Sequence, residues 1–460
     1  MKKETLEKLL NKLLSTGADF AEIFEENNIN KKYNYVDSKL DKVSYEEISG
    51  AGLRIAKNTE IYYGAINYSN SDEVFDLASD LIKNINDKVI YNDIKLNNLE
   101  KYNSNYLIPY DSYSEEKIKT YMNNIDKKIR NMDERVTQVN ILLYENKDNV
   151  VISNYKGIYK SEERYNTRIY ITVTFKDKDL ISKESYNWGS NGGLEILDKN
   201  IDKELETLIK YGIDKLYAKN CVGKVMPAIL GPGFGAVIFH EACGHAMEAA
   251  ATANNLSVLS GKIGKKIATD KVTIIDNGNM ENLWGSTKID DEGNNTQENI
   301  LIENGVLKDY LNDEINNRNL NMNLNGASRR ENYRYAPVSR MNNTYLKPGT
   351  DSIDDMIKSI DFGLYAVELG GGSVDPETGE FNFACDTAYM IRNGKVAECV
   401  KGATLLGCTL EILNNVEMVS SDLSHSPGFC GAGSGSVPVT IGQPTIKVSN
   451  ILVGGVSDDK

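Results

Sequence analysis

The texture of the sequence changes near residue 220, and no single repeating architecture accommodates both sides of that change. Before it, amphipathic helical stretches alternate with strands. Leu6, Leu9, Leu10, Leu13 and Leu14 recur at helical spacing with charges between them. A strand follows over 19–25, then a hairpin-like pair over 51–56 and 60–67 that turns through Lys57-Asn58-Thr59. Ser71 or Asp72 is expected to cap a helix that carries Val74, Leu77, Ala78, Leu81 and Ile82 on one face. A second helix has Ile118, Tyr121, Met122, Ile125 and Ile129 in register, and strands are predicted over 137–144, 149–154 and 164–176. A long helix over 194–219 closes this half.

After residue 220 glycine rises, helical patterns thin out and short strands are punctuated by turns. Asp276-Asn277-Gly278, Glu292-Gly293, Glu303-Asn304-Gly305 and Arg392-Asn393-Gly394 are tight-turn signals. A chain of 460 residues also exceeds what one hydrophobic core serves. The expected fold is therefore α+β: an N-terminal α/β domain with antiparallel strands and helices over 1–218, and a C-terminal, mainly antiparallel β domain of barrel-like form over 219–460. The second domain carries one prominent helix, which holds the candidate metal site.

That helix contains most of the histidine in the protein. His240, His245 and His425 are the whole supply, and the first two sit in a segment reading His240-Glu241-Ala-Cys-Gly244-His245. In the HExxH pattern of zinc peptidases the histidines are four apart and lie about 40° apart around a regular helix. Five residues apart they would be separated by about 140°, which aims the imidazoles away from one another. A π-bulge absorbs the extra residue and realigns them, and Gly244, a poor helix former, marks the expected distortion. Glu241 lies i,i+4 from His245, and Glu248 follows it by three, so both carboxylates flank the second imidazole. Two imidazoles suit Zn²⁺, and a catalytic zinc takes three protein ligands while keeping one position open. On spacing alone the third ligand is open among Glu248, His425 and Cys430. The bland alternative is a pair of satisfied core histidines.

Charge and targeting exclude other classes. The chain carries 52 basic and 66 acidic residues, a net −14 with no basic tract, which disfavours binding to a nucleic-acid backbone. The first residues lack the unbroken apolar stretch of a signal peptide, and the uncharged run 226–240 is too short and too rich in Gly and Pro to span a bilayer. Six cysteines without a CxxC pattern fit reduced thiols in a cytoplasmic protein. Cys221, Cys243, Cys385, Cys399 and Cys408 are expected to be small buried hydrophobes.

Larger motifs carry a family resemblance. The run GPGFGAVIFHEACGHAMEA (231–249) resembles the signature of the TldD subgroup of the TldD/PmbA metallopeptidases, formerly called modulators of DNA gyrase. SGKIG (260–264), IDDEG (289–293), LIENGVLKDY (301–310), ASRRENYRYAPVSRMNNTY (327–345), GGGSVD (370–375), VKGATLLG (400–407) and SVPVTIGQPTIKV (436–448) follow in family order. GADFAEIFEE (17–26) is similar to the weaker N-terminal pattern. The resemblance implies one Zn²⁺ per chain on His240, His245 and Cys430, with Glu241 as the catalytic glutamate. The PmbA (TldE) subgroup lacks the histidine motif, so this chain looks like the catalytic kind. It departs from the pattern at GAGSG (431–435), where relatives carry a charged, glutamine-containing stretch, and this bears on substrate preference.

The implied function is hydrolysis of unfolded or extended peptides, with a metal-activated water and Glu241 as general base. Tyr333, Arg330 and Arg340 are candidate donors to the oxyanion, against a reading as ordinary structural charges. Gly370, Gly371 and Gly372 are candidates for close approach by an extended peptide. The family pattern further implies a dimer, either of identical chains or with a PmbA/TldE-type subunit. Two other readings stand beside these: removal of a leader from a ribosomally made peptide, and a non-catalytic subunit that binds a partner such as a gyrase or toxin–antitoxin component. The retained Glu241 speaks against the last.

Overall fold

The computed structural model of the chain describes residues 1–91 and 93–455; Asn92 and residues 456–460, the end of the predicted second domain, lie outside that description. One sheet takes all its strands from the first half: β1 (Phe20–Val36), β2 (Lys39–Lys57), β3 (Glu60–Ile66), β4 (Glu100–Asn103), β5 (Val136–Asn154), β6 (Tyr159–Asp177) and β7 (Leu180–Ser190). Its order is β3-β2-β1-β5-β6-β4, with β7 also paired to β6. β1 and β2 run well past the predicted strands as a long polar arm that turns at Asp37 and Ser38, both at positive φ. β5 runs unbroken through the predicted gap at 145–148, because ladders to β1 on one side and β6 on the other hold its polar middle extended.

Strand alternation gives this sheet two different faces. Ala21, Ile23, Tyr33 and Tyr35 of β1 pack against helices α1 (Lys3–Leu13), α2 (Ser71–Leu81), α3 (Glu115–Met132) and α4 (Asp202–Leu216). The opposite face, from Glu22 to Lys32, turns toward the C-terminal half. Two helix boundaries differ from expectation, each through an asparagine. Asn70, not Ser71, caps α2 by accepting from the Asp72 and Glu73 amides. The predicted 194–219 helix splits into a 3₁₀ turn, Leu194–Asp198, and α4, where Asn200 Oδ1 accepts from the Asp202 amide.

Strands from the second half form a closed five-stranded barrel of Phe362–Val374, Lys224–Leu230, Ile446–Gly454, Thr404–Cys408 and Glu380–Arg392. A six-stranded sheet lies beside it and ends in the hairpin Ser424–Ala432 and Gly435–Gln443. The prediction of mainly antiparallel pairing needs two exceptions that matter to the site. Lys224–Leu230 runs parallel to Phe362–Val374, and Asn343–Leu346 runs parallel to Gly435–Gln443.

The two halves meet through buried charge. Arg54 bonds Glu22 at 2.7 Å and Glu292 at 2.6 Å, while Arg330 bonds Glu22 at 2.5 Å. Arg164 bridges Glu162 and Asp291, both at 2.9 Å. The Tyr333 ring packs on the sheet where Gly50 offers it no side chain; a Cβ on Gly50 would stand 2.4 Å from the ring. Acids outnumber cations in this layer. Burial accordingly pushes Glu26 and Asp290 up to about 7 and Glu292 up to about 8.

Candidate metal centre

Barrel strand Lys224–Leu230 leads through a 3₁₀ turn, Gly233–Ala236, into a π-helix over Phe239–Gly244. This is the wider winding that the His240–His245 spacing calls for. Two contacts hold it. Thr409 Oγ1 donates to the Ala242 carbonyl at 2.7 Å, satisfying an acceptor within the π turn. Met341 packs onto Gly244 so closely that a Cβ there would lie 1.9 Å from its sulfur. Thr409 is marked by no local sequence signal, and Met341 lies in the 327–345 motif without being singled out by it.

The winding places the two imidazoles edge to face, with ring centroids 5.3 Å apart. Cys430, from the hairpin strand Ser424–Ala432, meets them. Its sulfur is 3.2 Å from His245 Nε2, and one ligand atom from each of His240, His245 and Cys430 lies within 4.8 Å of the others. Burial pushes the Cys430 thiol up, but the two imidazoles outweigh it and bring the group down to about 3. On His245 burial acts downward, and the Glu248 carboxylate together with the Cys430 sulfur outweighs it, leaving the imidazole well above its ordinary range. Glu248 Oε2 sits 3.0 Å from His245 Nδ1. Nδ1 thus faces the Glu248 carboxylate and Nε2 faces the Cys430 sulfur. Glu241 Oε2 stands 3.7 Å from the same Nε2, and its side chain keeps 26% of its exposure while His240 is buried.

The donor set fits a zinc ion: a thiolate-prone sulfur and two imidazoles converge, and His240 Nδ1 is buried without a hydrogen-bond partner. The other predicted residues are placed as follows. Arg340 is fully buried. It donates to the Cys430 carbonyl, to Ser434 Oγ at 2.9 Å and to the Gly435 carbonyl at 2.9 Å, with its Nε 4.0 Å from Glu248. It therefore ties the cysteine hairpin toward the Glu248 side. Arg330 and Tyr333 belong to the docking layer between the halves and are not brought to the imidazoles. His425 meets Tyr345 edge to face at an odd position of the strand, on the face opposite Cys430. Gly371 and Gly372 are exposed in strand Phe362–Val374, and only Leu364–Ala366 of that strand pairs with Lys224–Leu230. The six cysteines are free thiols; Cys385, Cys399 and Cys408 are half-buried rather than buried.

A second acidic group, Glu184, Glu368 and Asp386, has its cation built in. Lys215 Nζ lies 2.9 Å from Glu184 and 3.0 Å from Asp386.

The profile of the PmbA/TldA metallopeptidase C-terminal domain matches residues 223–455, and that of the central domain matches 108–215. The chain belongs to the PmbA/TldD metallopeptidase family. Its enzyme class is thus peptidase. A metalloprotease TldD homolog from Buchnera aphidicola is 31% identical, over 97% of this chain and 95% of its own. One from Haemophilus influenzae is 35% identical over 76% and 74%. A zinc metalloprotease TldD homolog from Saccharolobus solfataricus is 29% identical over 97% and 99%. The fold is shared with a protein from Thermotoga maritima described as a modulator of a DNA gyrase, at TM-score 0.80 and 19% identity, covering 98% of this chain and 99% of that one. It is also shared with TldE from Thermococcus kodakarensis, at 0.74 and 19%, covering 98% and 100%. No helix among the described residues is long and apolar enough to cross a membrane.

Proposed function

We propose that this family member hydrolyses peptide bonds in unfolded or extended peptides, using one zinc ion per chain held by His240, His245 and Cys430. The observation that carries the reading is the line Glu248–His245–Cys430. One carboxylate fixes the outer nitrogen of an imidazole whose inner nitrogen faces a sulfur, the arrangement in which outer partners orient metal ligands. Zinc bound there supplies Lewis acidity and activates water. Glu241, partly exposed beside the same nitrogen, takes the proton released in the attack on the carbonyl and returns it to the leaving amine. Arg340 acts through position, holding the Cys430 carbonyl on one side and facing Glu248 on the other.

An extended substrate would lie along Gly370–Gly372. The main chain there runs beyond the end of the neighbouring barrel strand, and Gly371 has open space where a side chain would stand. The likeness to TldE supports a working unit of two chains, either identical or with a TldE-type partner. Free thiols support a cytoplasmic setting. We further take 1–218 and 219–460 as functional halves, the second holding the chemistry and the first shaping access.

The test combines metal analysis with hydrolysis of an unstructured peptide by the wild type and by Glu241→Gln. The expected result is zinc near one per chain in both, and a rate lower by roughly 10²–10⁴-fold in the variant. Full activity of Glu241→Gln, or protein that is active and free of metal, sinks the proposal.

A further inference from the structure

Beyond the docking layer, β1, β5 and β6 continue and a cavity of about 620 Å³ separates them from the C-terminal half. Strand register lays out its floor. Asn30, Asn146 and Asn166 stand side by side across β1, β5 and β6, and two residues further along Lys32, Tyr144 and Arg168 form the next row. The amide row is already ordered: Asn146 Nδ2 donates to Asn30 at 2.9 Å, and Asn166 Nδ2 donates to the Trp284 carbonyl at 2.9 Å. An aromatic wall closes one side, with Trp284 centred 5.9 Å from Tyr144 and 5.5 Å from Phe429, a phenyl ring that stays 50% exposed.

Three of the cations here have no ion-pair partner among the described residues. Arg168 lies 5.9 Å from the Trp284 ring and 5.6 Å from Phe429, and among the described residues it donates only to the Asn187 side chain and the Pro427 carbonyl. Lys32 sits 5.5 Å over Tyr144, and Arg329 donates to the Met341 carbonyl. Among the described residues none of the three is in an ion pair, whereas Arg164 and Arg330 at the inner end both are. Burial pushes Arg168 down to about 10, and it does the same to Arg329 against the opposing pull of Asp291 and Asp276. Six basic side chains line the cavity against four acidic ones, in a protein whose net charge is −14. A buried cation with no counter-charge is costly, and guanidinium stacked on aromatic rings is a recurrent way of receiving carboxylates. The volume suits a ligand of a few residues.

We propose that this cavity binds a short peptide segment presenting a carboxylate beside an apolar side chain. Arg168 and Lys32 take the carboxylate, the exposed Phe429 ring, backed by the buried Trp284, takes the apolar group, and the asparagine row faces the main chain. The site is separate from the metal group. Phe429 and Cys430 are successive residues of one strand and point to opposite faces, so only Phe429 lines the cavity. The proposal stands whether or not the chain cleaves peptides.

Trp284 is its own reporter, since the protein has two tryptophans. In a Trp188→Phe, Glu241→Gln protein, Trp284 fluorescence is titrated with N-acetyl-Ala-Ala-Phe as the free acid, with its C-terminal amide, and with N-acetyl-Glu-Ala-Phe amide. The free acid should saturate the signal about tenfold more tightly than the neutral amide, the effect of one charge-assisted hydrogen bond. Arg168→Gln and Lys32→Gln should each erase that preference. If the acidic amide matches the free acid, side-chain carboxylates are accepted; if it matches the neutral amide, the terminus is the feature recognised. Equal affinity for free acid and neutral amide, no saturation by any peptide, or equal saturation by inorganic phosphate would overturn the proposal. Should Arg168→Gln fail to fold, Lys32→Gln, on an exposed side chain, decides.

Discussion

Cys430, Glu248 and Arg340 divide the work around His245: one faces its inner nitrogen, one its outer nitrogen, and one braces the other two. Cys430→Ser replaces a readily ionised thiol by a hydroxyl and should strip the protein of most of its zinc, as measured by metal analysis after gel filtration. Unchanged occupancy would remove Cys430 from the ligand set. Glu248→Gln keeps the shape but loses the charge on His245 Nδ1, and zinc affinity should fall by roughly 10–100-fold in a chelator competition. The two histidines and their need for an abnormal turn are legible in the sequence, because helix periodicity is fixed. That Cys430 joins them, 185 residues later, is not a matter of local pattern, and only family resemblance names it. The opposite holds for Arg330 and Tyr333. Their motif is conspicuous in the sequence, yet their partners Glu22 and Glu26 lie 308 and 307 residues away, where no spacing rule reaches.

At the scale of elements, the π-helix depends on what packs against it. Gly244→Ala pushes a methyl group into Met341 and should cost about 1–3 kcal/mol by overpacking, read as a lower urea midpoint. Adding Met341→Ala to Gly244→Ala should cost less than the two changes summed, since the methyl then enters the space the thioether leaves; strict additivity would show that the contact is not the cause. Elements with a strong amphipathic period, such as α1 and α3, are legible from sequence. The long arm of β1 and β2 is not, because polar residues interrupt its apolar face, where Tyr33 and Tyr35 pack, and its extension is imposed by neighbouring ladders.

The whole molecule is joined by a layer whose acids hold protons unusually tightly. Glu26, Asp290 and Glu292 have folded values raised above their unfolded ones, so their contribution to stability is complete below about pH 4 and is lost as pH rises toward 8. Each such group costs up to about 1.4 kcal/mol per pH unit across its own window. Glu292→Gln mimics the protonated acid. Its thermal midpoint should match the wild type near pH 5 and exceed it above pH 8; parallel curves for the two proteins would refute the assignment.

The two-faced sheet also has a consequence in time. During synthesis β1 to β7 are complete at residue 190, whereas Asp291, Glu292, Arg330 and Tyr333 emerge only 100 to 140 residues later. At typical elongation rates that leaves roughly 5–30 seconds in which one side of a finished sheet meets water with Arg54 and Glu22 as each other's ion partners. A nascent chain in that interval is an apolar Phe24 and a stripe of half-matched charge waiting for its cover. Residues 1–218 released alone should therefore self-associate by light scattering, while the full chain does not grow beyond its native assembly.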